Sequence, residues 1–148
     1  MKIIPLGGLG EIGLNMMVIE VAGGLLIIDC GLMFPEAYML GIDLVIPDVS
    51  VLLPRREDIV GIVLTHGHED HLGGLPYLWR RLRCPVYATP FTAALARFKL
   101  RAAGIDEAEV NEVPFELTDI SGVIRLDGPD VIIEDLSGRS EGLTLSVG

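Results

Sequence analysis

The chain has 148 residues, half of them hydrophobic, and a formal net charge of −10. That length suits a domain with a real core. No apolar run approaches the roughly 20 residues of a membrane span, and the opening Met1-Lys-Ile-Ile-Pro-Leu-Gly-Gly8 lacks the apolar core and cleavage site of a signal peptide, so a cytoplasmic protein with no membrane partner is expected.

In chain order, Ile3 to Leu6 is short and apolar, and Gly7 to Gly13 contains a literal G-x-G-x-x-G. With Asp29 some twenty residues beyond Gly8 it imitates a dinucleotide fingerprint, which requires a helix beginning at its last glycine. Instead, Asn15–Val21 and Leu25–Ile28 flank Ala22-Gly-Gly24 and read as a β-hairpin, so the glycines are expected to turn the backbone sharply beside a site. Asp29 then ends a buried strand. It is either a turn residue or a partner that orients a metal-bound histidine. A loop of little periodicity follows to Asp48, and Val49–Asp58 suggests a short helix.

Ile62-Val-Leu64 reads as a buried strand delivering Thr65 and His66 at its carboxyl end, where ligands gather in α/β folds. The stretch His66-Gly-His-Glu-Asp-His71 holds all three histidines of the chain and, with Asp70, four potential metal ligands within six residues. His66 and His68 can meet on one ion if the loop curls, which Gly67 permits, and Asp70 with His71 suits a second ion close by. Two ions about 3.5–4 Å apart can clamp the oxygens of a displacement at phosphorus. The competing readings are a closed zinc site, which usually recruits cysteine or a fourth protein ligand, and a set of loop histidines satisfied by hydrogen bonds. Glu69 is expected to point away from the metals.

Next, Leu75, Leu78, Trp79 and Leu82 share one face of a helix that opens near Pro76. Cys84–Thr89 is a short strand, and Phe91–Ala103 is a second helix closed by Gly104. Cys30 and Cys84 form no Cys-x-x-Cys pair and read as buried free thiols. Residues 1–105 carry ten acids and nine bases, whereas residues 106–148 carry eleven acids against Arg125 and Arg139. Arg55-Arg56, Arg80-Arg81-Leu-Arg83 and Arg97-Phe-Lys-Leu-Arg101 either meet phosphates or form solvated helix faces. Beyond Asp106, short strands at 123–126, 131–133 and 143–147, parted by Asp/Gly/Ser-rich turns, suggest a meander.

His-Gly-His-Glu-Asp-His after a buried strand resembles the signature of the metallo-β-lactamase superfamily. The segments Pro5–Asn15, Ile28–Pro35, Gly41–Asp48 and Leu64–Gly74 narrow the resemblance to the bacterial ribonuclease J family. It implies an α/β fold of the αββα sandwich type and a metal-dependent ribonuclease, with both 5′ exonuclease and endonuclease action on RNA. It also implies two divalent metal ions, with zinc or manganese suiting mixed imidazole and carboxylate ligands. By that resemblance His66 and His68 bind one ion, and Asp70 and His71 bind the other and act as the catalytic pair. Asp29 and Thr65, at the strand ends, are candidates to support them from behind.

The family completes each ion with later histidines and a bridging aspartate, yet no histidine follows His71. Residues 1–105 are therefore expected to form the amino-terminal half of the domain, leaving the sandwich incomplete, with 106–148 an acidic, strand-rich end. The chain alone is expected to be inactive. RNA is the expected partner, and assembly into a homo-oligomer is left open. The alternatives are a catalytically silent metal-binding or interaction module and a small-molecule metallohydrolase of the glyoxalase II kind.

Overall fold

Short apolar runs build the first sheet, and burial alternates along the hairpin strands. The computed structural model describes residues 1–113, 118–127, 130–140 and 143–147, with side chains described for 1–113. Its strands are β1 (Lys2–Gly7), β2 (Met16–Val21), β3 (Gly24–Ile28), β4 (Ile59–Leu64), β5 (Val86–Ala88) and β6 (Val110–Glu112), and they lie in that order in one sheet. The first three are antiparallel neighbours; β3 to β6 pair in parallel. The expected hairpin is β2–β3, with Val21 opposite Gly24.

Register explains which side chains become core. Ile4, Val18, Ile27, Ile62 and Val86 are successive cross-strand partners, and the last four are fully buried. Against that row pack α2 (Leu75–Leu82) and α3 (Pro90–Ala102). Leu75, Leu78, Trp79 and Leu82 are all buried, as the spacing predicts. Removing each such side chain from water contributes roughly 1.5–3 kcal/mol. Trp79 Nε1 donates to the Cys84 carbonyl at 2.9 Å, so its burial leaves no polar group unpaired. Arg83, at φ 49°, caps α2 in the left-handed conformation.

Both cysteines are free and buried. Burial pushes the Cys84 thiol up to about 11 and drives Cys30 higher still, so both stay protonated at neutral pH. The segment expected as a helix over 49–58 is a short 3-10 helix at Leu53–Asp58, started by Pro54. Several arginines of the basic clusters serve the fold. Arg55 pairs with Glu20 at 2.7 Å and Asp58 at 2.9 Å, Arg97 pairs with Glu112, and Arg80 donates to the carbonyls of Ala103 and Gly104.

Met1–Val113 forms one compact unit and Pro114–Gly148 another. In the second, β7 (Thr118–Asp127), β8 (Asp130–Ser140) and β9 (Leu143–Val147) make an antiparallel meander. Among the described residues no helix is long and apolar enough to cross a membrane.

Candidate metal centre

The carboxyl ends of β3 and β4 set the site. Ile28 lies opposite Val63, and the Asp29 amide continues the ladder to the Val63 carbonyl at 2.9 Å, so Asp29 sits beside Thr65. Asp29 is buried, 6% exposed, and adopts a left-handed φ of 62°, a conformation aspartate tolerates better than most residues. Its carboxylate accepts from the Thr65 amide at 2.8 Å and from the Thr65 hydroxyl at 2.8 Å. It also faces His71 Nδ1 at 2.8 Å. Asp29 thus sits at a turn of the chain and also contacts the His71 ring.

The motif changes conformation midway, which separates its donors into two pairs. His68 is extended, at φ −77° and ψ 151°, and caps α1 (Glu69–Leu72), a single turn that the spacing does not announce. From the extended part, His66 Nε2 and His68 Nδ1 face each other at 3.1 Å. From the helical part, Asp70 Oδ2 and His71 Nε2 face each other at 3.3 Å. The His66 and His71 rings lie 4.0 Å apart, so the pairs are neighbours. Glu69 turns outward to Lys99 on α3.

Proton positions follow from the partners. An ionised carboxylate only accepts, so the Thr65 hydroxyl and His71 Nδ1–H both donate to Asp29. Having given its one hydrogen, the Thr65 oxygen accepts from His66 Nδ1, 2.9 Å away. Both His66 and His71 are thereby held in the tautomer that keeps the lone pair on Nε2, one through Thr65 and the other directly; in this structure those lone pairs accept from His68 Nδ1 and from the Asn15 amide. That is the arrangement by which a carboxylate orients imidazoles for a metal.

The donor set suits divalent cations. Two ligands on one tetrahedral ion at about 2.0–2.1 Å stand about 3.3 Å apart, close to the spacing of both pairs. Each pair supplies two donors, short of the three protein ligands usual at catalytic zinc. In keeping with this, no group of three or more His, Cys, Asp or Glu side chains converges as a metal site among the described residues.

Asn15 is the residue that sequence reasoning missed. Its side-chain nitrogen lies 3.0 Å from the Asp70 carbonyl, 3.0 Å from Asp70 Oδ2 and 3.2 Å from His71 Nε2. The hint in the sequence is slight, a polar residue between Leu14 and Met16 at the start of an apolar run, and the structure half-buries it. A seam of main-chain bonds fixes it there: Asn15 donates to Asp70, Gly31 to Asn15, Cys30 to His71 and Leu32 to Glu69, all at 2.6–3.1 Å. The glycine stretch makes this approach possible, with Gly8, Gly10 and Gly13 at positive φ. Its use is therefore a turn that returns the chain to the metal loop.

A family model described as the metallo-beta-lactamase superfamily matches residues 9–144. The chain is similar to Ribonuclease J2 of Bacillus subtilis (strain 168), 46% identical over 127 residues that cover 81% of this chain and 23% of that protein. It is likewise similar to Ribonuclease J 2 of Staphylococcus aureus (strain MRSA252), 49% identical over 106 residues, covering 72% of this chain and 19% of that one. The chain thus spans about a quarter or less of the length of these relatives. Among solved structures, human tRNase Z, short form, superposes with a TM-score of 0.49 at 18% identity, over 99% of this chain and 68% of that one. The match along nearly its whole length shows that the chain belongs to the metallo-beta-lactamase superfamily.

Proposed function

We propose that this chain supplies the metal-holding part of a metal-dependent ribonuclease. His66 and His68 address one divalent ion; Asp70 and His71 address a second. The observation that carries the reading is the pair of donor separations, 3.1 and 3.3 Å, with the spare ring nitrogens of His66 and His71 anchored. Similarity to the ribonuclease J2 proteins supports RNA as the substrate class. Zinc suits the imidazole-rich pair, and manganese suits the pair containing the carboxylate.

Divalent ions, when bound, lower the pKa of water and neutralise charge developing on phosphodiester oxygens. The chain's residues prepare that environment. Asp29 keeps the lone pairs of His66 and His71 turned into the site, and the backbone seam holds Asp70 beside His71. Because each pair is one donor short, the chain alone is expected to turn over no RNA.

The test is a chimera in which residues 1–113 replace the matched segment of Bacillus subtilis Ribonuclease J2, assayed on 5′-monophosphorylated RNA. The expected result is cleavage that requires zinc or manganese, stops with a chelator and falls at least about a hundredfold in His68→Ala. A folded, metal-loaded chimera that leaves RNA intact would contradict the reading, as would equal cleavage by the variant. Hydrolysis of a thioester in place of RNA would favour the small-molecule hydrolase.

A further inference from the structure

We infer that Asn15 is a positioning residue for Asp70, an inference that rests on the metal-holding role proposed above. The amide group can be oriented from its surroundings. Its nitrogen side meets the Asp70 carbonyl, Asp70 Oδ2 and the His71 Nε2 lone pair, which are all acceptors, so the NH₂ must face them and the oxygen must face away. The oxygen lies against Gly8, where a Cβ would come within 2.6 Å of it, so glycine at this position leaves room for the amide.

The proton count then links Asn15 to metal. An amide has two hydrogens, and here they face three acceptors. When the His71 Nε2 lone pair is taken by an ion, two hydrogens remain for two oxygens of one residue, the Asp70 main-chain carbonyl and its Oδ2. A donor that grips both the backbone and the carboxylate of Asp70 fixes the side-chain torsions between them. Asp70 then meets the ion in a single rotamer beside His71, and the entropy of ordering it is already spent before the ion arrives. Asn15 touches neither substrate nor the reacting atoms in this account. It acts through Asp70.

Shape and donation can be separated, because Asn15→Leu keeps the approximate shape, loses both hydrogens and adds neither charge nor a metal donor. Its main-chain bonds to Asp70 and Gly31 stay in place. The experiment titrates wild type, Asn15→Leu and Asn15→Ala with zinc, by competition against a chromophoric chelator, and with cobalt(II), by its visible ligand-field spectrum. Thermal unfolding of the metal-free proteins is followed in parallel. The expected result is a loss of roughly ten- to hundredfold in affinity for the weakened ion in both variants, the range for groups that orient metal ligands. The cobalt spectrum should change, while the metal-free melting temperatures stay close to wild type. Wild-type affinity and spectrum in Asn15→Leu would overturn the inference, as would a loss confined to Asn15→Ala, since either outcome makes Asn15 a filler of space. If wild type itself bound no metal, the metal-holding role would fail first, and the inference with it.

Discussion

Gly31→Ala is expected to destabilise the first unit by about 3 kcal/mol or more, at the upper end of what overpacking costs, and to remove metal binding with it. A Cβ at this position would overlap the main-chain carbonyl of Asp70 and lie 2.8 Å from the Asn15 nitrogen. Both neighbours are backbone, so no side chain can swing aside. Gly31 sits in the middle of the seam, donating to Asn15, while its neighbours Cys30 and Leu32 donate to His71 and Glu69. Moving the motif away from residue 31 therefore breaks several main-chain bonds at once and displaces Asp70. Urea unfolding of the metal-free chain measures the stability, and zinc titration measures the site. Wild-type stability with intact zinc binding would mean that residue 31, Asn15 and the motif helix do not approach as closely as described.

Asp29→Asn is expected to weaken metal binding through a proton, with little change in packing. The amide is isosteric with the carboxylate, and its oxygen can still accept from Thr65. The nitrogen would then face His71 Nδ1 and can only donate, so His71 must shift its proton to Nε2. That tautomer has no lone pair where Asp70 Oδ2 waits. Affinity at that ion should fall by up to about a hundredfold, and nitrogen-15 NMR of the imidazole should show the proton moved from Nδ1 to Nε2. Asp29→Ala differs in kind. It strands the Thr65 amide, the Thr65 hydroxyl and His71 Nδ1, and leaving a buried partner unpaired costs about 1–3 kcal/mol. Unchanged affinity in Asp29→Asn would show that the carboxylate only turns the chain.

What the sequence made legible was local. Short apolar runs marked the strands that carry Val18, Ile27 and Ile62 into the core, and helical spacing put Leu75, Leu78, Trp79 and Leu82 on one buried face. The histidine motif was legible as a cluster because six consecutive residues carry it. Asp29 stayed ambiguous because its partner, Thr65, is 36 residues away and is reached only through the parallel pairing of β3 with β4. Asn15 was invisible for the same reason on a longer scale, lying 55 residues from Asp70. Main-chain bonds between loops leave no mark in composition or period. The one-turn helix after His68 was equally hidden, yet it is what sends Asp70 and His71 in a direction different from that of His66 and His68. The G-x-G-x-x-G showed the opposite hazard: a pattern with a known use, serving here as a turn.

The central claim is that two adjacent donor pairs hold two ions, and direct metal counting tests it. Equilibrium dialysis of the chain against zinc, with the metal quantified per chain, should give two ions for wild type, one for His68→Ala and one for His71→Ala, the two variants losing different ions. Absence of bound zinc in wild type would contradict the account, as would two ions retained in either variant.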